Sequence, residues 1–116
     1  MISLTILGDI PSMKNTLRRS RSGAFYHKDD AVRKYKADFA KQVPARHKKK
    51  IEGMVLVELM IWQKDRRKDG HNQMATIFDA LEFAGVIKND RQIANWTCCV
   101  GFDRNNPRVE IKVGEA

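Results

Sequence analysis

The sequence predicts one α/β (α+β) domain, a mixed β-sheet packed with two helices in the order β-α-β-α-β-β. Three observations predict it. Apolar residues alternate with polar ones at 2–6 and 108–113, the period of half-buried strands. Between them, two stretches repeat apolar residues every three or four positions, the period of a helix face. The 116 residues hold no internal repeat, linker or low-complexity segment, so a single domain spans 1–116.

Ile2, Leu4 and Ile6 alternate with Ser3 and Thr5 and form the first strand, which Pro11 ends. Residues 11–28 read as a basic loop containing Gly23. Val32, Tyr35, Phe39 and Val43 line one face of a helix that starts near Asp29 or Asp30 and stops at Pro44. Residues 54–62 (MVLVELMIW) are apolar on nearly both faces, which predicts a central strand covered on both sides. A polar loop, 63–72, leads to a second helix with the stripe Met74, Ile77, Phe78, Leu81 and Ala84, with Asn72 as N-cap and Gly85 as its C-terminal stop. Residues 93–102 form a strand with Trp96, Cys98, Val100 and Phe102 on one face. A turn at Asn105, Asn106 and Pro107 precedes a last strand with Val109, Ile111 and Val113 on its dry face; these two strands suit a hairpin, and both helical connections suit right-handed crossovers.

Charge is lopsided. The chain carries 22 Lys and Arg against 14 Asp and Glu, a net +8. Residues 1–50 hold thirteen of the cations and only four of the acids. One dense point is Lys14, Arg18, Arg19 and Arg21, interleaved with Asn15 and hydroxyl residues; the other is Arg46, His47, Lys48, Lys49 and Lys50. Basic, hydroxyl-rich segments suit phosphate oxygens, which points to nucleic acid. No apolar face accompanies these residues, so a membrane surface is disfavoured. No run of 18 apolar residues and no signal-peptide pattern appear, and a cytoplasmic location is expected. Adjacent Cys98 and Cys99 point to opposite faces of a strand, which makes a poor disulfide and no zinc signature.

Nucleophilic catalysis has no support, because Ser12 lacks a neighbouring His and acid, and no phosphate-cradling glycine loop or nucleophile elbow occurs. The chemistry-bearing cluster is Asp69, His71 and Asn72 at the mouth of the second helix, with Asp90 just beyond its other end. That helix spans roughly 18 Å, so the aspartates do not meet locally. A parallel crossover leaves them at opposite strand ends; an antiparallel placement or a neighbouring subunit brings them together. Carboxylates suit Mg²⁺, which neutralises phosphate charge and activates water. The plainer reading is an Asp-Gly turn and a capping Asn72. Asp79 and Glu82 are expected on a solvated or inter-element face, His27 and His47 in structural or exposed positions, and Trp62 and Trp96 in strand packing.

Residues 66–93 (RRKDGHNQMATIFDALEFAGVIKNDRQI) resemble the core motif of the RusA family of Holliday-junction resolvases, phage-type endodeoxyribonucleases. The motif runs from a basic residue and Asp-x-Asp-Asn through Asp-Ala-Leu (Asp79, Ala80, Leu81) and Gly85 to an acidic pair and Gln92-Ile93. Pro11, Ser12 and Asn15 resemble the family's start. The resemblance implies a Mg²⁺-dependent homodimer that nicks two opposed strands of branched DNA, the four-way junction, in a bacterial host and of phage or prophage origin. It carries the metal-binding and catalytic roles onto Asp69 and Asp90, with Asn72 in support. The basic residues Lys14, Arg18, Arg19 and Arg21, with Asn15, Arg66, Arg67 and Lys68, are the expected DNA contacts.

Three positions depart from the pattern: His71 replaces the second aspartate, Ala75 a lysine, and Asn89 the first acid of the pair. Imidazole suits transition metals better than Mg²⁺, so a relative preference for Mn²⁺ is expected with His71 as a metal ligand. His71 as general base for the attacking water is the other catalytic role open to it. Lys68 or Lys88 is the candidate replacement for the missing lysine. The alternative to a resolvase is a catalytically impaired junction- or DNA-binding protein of the same fold.

Overall fold

A computed structural model describes residues 1–12, 17–19, 25–27 and 30–116. Among these residues, six strands and two helices follow one another as β1 (Ile2–Leu7), β2 (Leu17–Arg19), β3 (Phe25–His27), α1 (Asp30–Gln42), β4 (Val55–Gln63), α2 (Gly70–Phe83), β5 (Ile93–Phe102) and β6 (Arg108–Glu115). Short 3-10 turns occupy Ala45–His47 and Asp90–Gln92. The main sheet has the order β1-β6-β4-β5, with β4 and β5 parallel and the other two pairings antiparallel. The α+β class read from the sequence stands.

Apolar alternation is what builds the sheet. Register aligns three rows across all four strands: Ile2, Val113, Val57 and Trp96; Leu4, Ile111, Leu59 and Cys98; Ile6, Val109, Ile61 and Val100. In β1, β6 and β4 these residues are buried beneath Tyr35 and Phe39 of α1 and Met74, Ile77, Ala80 and Leu81 of α2. In β5 the same rows come to the surface: Trp96 is 46 % exposed and Val100 44 %. The helical layer covers this edge strand only in part: Phe78 of α2 meets Trp96 edge-on at 5.9 Å and Cys98 stays half-buried.

Four expectations need correction. The basic stretch 11–28 is not all loop, since β2 and β3 pair there antiparallel, Leu17 opposite His27. The β4 strand is covered on one side only; Leu56 and Glu58 on its other face are exposed, because both helices pack on the same side of the sheet. The α2 helix begins earlier than the apolar stripe suggests. Its N-cap is Asp69, whose carboxylate accepts from the His71 N–H at 2.9 Å, so Asn72 lies inside the first turn. Finally, β5 and β6 are antiparallel but not neighbours. The connection 103–107 crosses the end of β4, where the Asp103 N–H donates to the Gln63 carbonyl at 2.8 Å, and β6 enters between β4 and β1. Two strand spacings are only about 10 Å, within reach of such a turn.

Gly85 ends α2 as expected, at φ 81, a left-handed conformation that glycine adopts without strain. Among the described residues no helix is long and apolar enough to cross a membrane.

Candidate functional site

The loop after β4 is held by buried amides. Gln63 donates to the Gln73 side-chain oxygen at 2.5 Å and to the Lys68 carbonyl at 3.1 Å. Gln73, fully buried, donates to the Ile10 carbonyl at 2.9 Å, and the Thr76 hydroxyl donates to the Pro11 carbonyl at 2.8 Å. These bonds satisfy polar groups that would be costly to bury alone. They fix residues 64–69 and also pin the segment that leads into the basic stretch against the first turns of α2. Lys14, Asn15 and Arg21 lie outside the described residues; Arg18 and Arg19 fall on β2.

Asp69 is exposed at the N-terminus of α2, where the aligned peptide dipoles favour a carboxylate. His71 is exposed beside it. The mouth of α2 presses on the C-terminal half of β5: a Cβ on Gly70 would sit 2.7 Å from Val100 Cγ2, so any larger residue must push the Val100 side chain aside. Basic side chains gather here. Arg66 stacks on the Phe102 ring at 4.9 Å, and Lys64, Asp65, Arg67 and Arg104 line a hollow of about 490 Å³. Lys64 and Arg104 escaped the sequence reading; Arg104 is brought in only because the β5–β6 connection crosses β4. Lys68 is spoken for, bonded to Asp9 at 2.8 Å and to the Ile10 carbonyl at 3.1 Å.

Asp90 stands at the other end of α2. The Glu82 carboxylate, in the last turn, accepts from the Asp90 N–H at 2.9 Å. Gln92 organises the turn from below. Its side-chain oxygen accepts from the N–H groups of Lys88 and Asn89, and its amide donates to the carbonyls of Ile51 and Gly53. Asn89 caps the turn by accepting from the Arg91 N–H at 2.8 Å. Lys88 pairs with Glu52 at 2.8 Å, which holds the Glu52 carboxyl below its ordinary range through the hydrogen bond and the charge. Neither Lys68 nor Lys88 is therefore a free cation. Asp79 serves an inter-element contact, paired with Lys36 of α1 at 2.8 Å.

Parallel pairing of β4 and β5 separates the two ends. Asp69 follows the C-terminal end of this ladder and Asp90 precedes its N-terminal end. From Asp69 to Glu82 along α2 is roughly 20 Å at about 1.5 Å per residue. Among the described residues no three His, Cys, Asp or Glu side chains gather where they could hold a metal ion. One chain does not fit a divalent cation at Asp69, His71 and Asp90 together. Its candidate donors are split between the two ends of α2, a half-set of Asp69 and His71 at the N-terminus and a half-set of Glu82 and Asp90 beyond the last turn. A shallow hollow of about 360 Å³ on the open sheet face, lined by residues such as Glu58, Met60 and Thr97, contains neither half-set.

Comparison with known proteins matches residues 9–114 to the family described as Endodeoxyribonuclease RusA. No curated protein matches the chain.

Proposed function

The chain belongs to the RusA endodeoxyribonuclease family, Holliday-junction-resolving endonucleases, and on that premise we propose that it resolves four-way DNA junctions as a homodimer, nicking two opposed strands with a divalent cation. The observation that carries the dimer is the placement of Asp69 and of the Asp90–Glu82 pair at opposite ends of one helix. A twofold axis perpendicular to α2 and level with Trp96 sets two copies of the helix antiparallel. Asp69 and His71 of one copy then face Asp90 and Glu82 of its partner, twice, at sites roughly 20 Å apart. The exposed β5 edge supports this seam. Its row ends Trp96 and Val100, with Phe102 at 47 % exposure, are apolar and only about half covered by α2 and Arg66, the kind of edge that a second chain covers.

Asp69, His71 and Asp90 would hold the cation, which when bound neutralises phosphate charge and lowers the pKa of its water. Glu82 fixes the backbone of Asp90, and capping the α2 N-terminus orients Asp69. Mg²⁺ serves, with Mn²⁺ relatively preferred because His71 contributes a nitrogen donor. Arg66, Arg67 and the basic segment entering at Pro11 hold phosphates beside the Asp69 end.

Mixing Asp69→Asn and Asp90→Asn chains tests the composite site. Each variant alone is inactive. The mixed dimer regains one intact site and makes single nicks in a labelled junction. Active wild-type dimers with no rescue on mixing would assign both aspartates to one chain.

A second reading, a DNA-binding protein without cleavage, is favoured by the alanine at position 75 and by the ion pairs that engage its candidate replacements, Lys68 and Lys88. Tight junction binding by the wild type, without nicks in Mg²⁺ or Mn²⁺, would establish it.

A further inference from the structure

The second basic cluster, Arg46–Lys50, supplies none of the residues of the candidate metal site. It follows α1 on a 3-10 turn at Ala45–His47. Its far end is fastened to the loop after α2: the Lys50 N–H donates to the Gly85 carbonyl at 2.8 Å and the Ile51 N–H to the Val86 carbonyl at 3.1 Å. The Ile51 and Gly53 carbonyls are gripped by Gln92, the residue that also shapes the Asp90 turn. The cluster is thus built onto the Asp90 end of the molecule.

Lys50 has an internal explanation. It sits at φ 49, packs near Gly85 and brings positive charge to the helix C-terminus. Arg46, Lys48 and Lys49 do not. All three are exposed, and no ion pair engages them among the described residues. Their charges lie within four positions and repel one another. Desolvation and the neighbouring Arg46 and Lys49 hold the His47 imidazole below its ordinary range, in keeping with a crowded positive surface. Such a surface lacks only an external polyanion.

We infer that Arg46, Lys48 and Lys49 form a second DNA-backbone contact, taking the phosphates of a junction arm at the Asp90 end. The inference rests on the junction-binding reading above and extends it: basic surface at both ends of α2 lets each chain hold DNA on two sides of a candidate site. Phosphate contacts of this kind carry affinity and salt dependence rather than sequence choice.

The test measures binding of a four-way junction in EDTA across salt concentrations. The wild type is compared with Arg46→Gln/Lys48→Gln/Lys49→Gln and with a charge-matched control, Lys34→Gln/Lys41→Gln/Lys112→Gln, whose lysines are exposed elsewhere. The slope of log affinity against log salt is expected to fall by about 5 in the first variant, three contacts in each chain of the dimer at about 0.9 apiece, and to stay near the wild-type value in the control. Equal slopes in all three proteins, or equal losses in both variants, would overturn the inference while leaving junction binding intact. Absence of binding by the wild type would instead overturn the junction reading itself. Acetylation of Lys48 and Lys49 in the unmodified protein gives a second readout that needs no variant. Junction DNA is expected to shield both amines, and unchanged labelling would count against the contact.

Discussion

Glu82 and Asp90 are joined by a 2.9 Å hydrogen bond from the Asp90 N–H to the Glu82 carboxylate, so the last turn of α2 sets the attitude of the turn that opens β5. A glutamine at position 82 keeps the acceptor oxygen and loses only the charge. Glu82→Gln is therefore expected to melt like the wild type. The Mn²⁺ concentration for half-maximal cleavage should rise about tenfold, the usual effect of disturbing the groups around a metal ligand. A metal titration of junction cleavage checks this; an unchanged midpoint would limit Glu82 to holding the backbone.

Asp69 has two duties that substitution can separate. Asparagine caps a helix about as well as aspartate, so Asp69→Asn should keep its stability within about 0.5 kcal/mol while cleavage drops at least ~100-fold. Asp69→Ala should lose cleavage and a further ~1 kcal/mol of stability with the cap. Urea denaturation beside single-turnover cleavage reads both.

The Tyr35 hydroxyl is buried with no hydrogen-bond partner among the described residues, and burial, then the negative charge of Asp9, pushes its ionisation above the ordinary tyrosine range. Tyr35→Phe removes an unsatisfied group and should stabilise the fold by about 1 kcal/mol. The sign of the pH effect follows from proton counting. Above a pH of about 10 the unfolded tyrosine ionises and the folded one does not, so the wild type loses stability there. The variant lacks that loss, and denaturation at pH 7 and in alkali measures the difference.

Neighbouring thiols should react unequally. Cys99 is exposed on the open sheet face, whereas burial, then the adjacent Cys99, holds the Cys98 thiol above its ordinary value. Iodoacetamide near neutral pH should modify Cys99 at least about tenfold faster, as thiolate content and access both favour it. Peptide mass spectrometry of a time course decides the order.

Much of this architecture is legible in the residues. The alternation in β1 and β6 places Ile2, Leu4, Ile6, Val109, Ile111 and Val113 in the core, and the stripe of α2 places Met74, Ile77 and Leu81 there. Other features are silent for physical reasons. Leu56 is as apolar as its buried neighbours, and hydropathy does not say whether a second layer covers it. Asp69 and Asn72 are both good capping residues, so composition alone does not choose between them. Phe25 and Tyr26 carry β propensity that hints at β3, but the surrounding basic run masks it. The Asp69–Asp90 separation depends on the parallel sense of β4 and β5, which is a property of chain topology. Glu82 gains its partner only when the chain turns back past Gly85.

The insertion of β6 between β1 and β4 bears on how the chain reaches this state. In the main sheet β1 has a single neighbour, β6, and Ile2 lies opposite Val113. Closing a loop of that length comes before any reward from the ladder, which places folding with the slower, high-contact-order domains, in milliseconds to seconds. Synthesis at about 5–20 residues per second delays the pairing further, by roughly 5–20 s. Throughout that interval Ile2, Leu4 and Ile6 have emerged while their strand partner has not. The apolar residues of β1 therefore wait for their strand partner until nearly the whole chain has been made, a delay that the small size of the domain would not suggest.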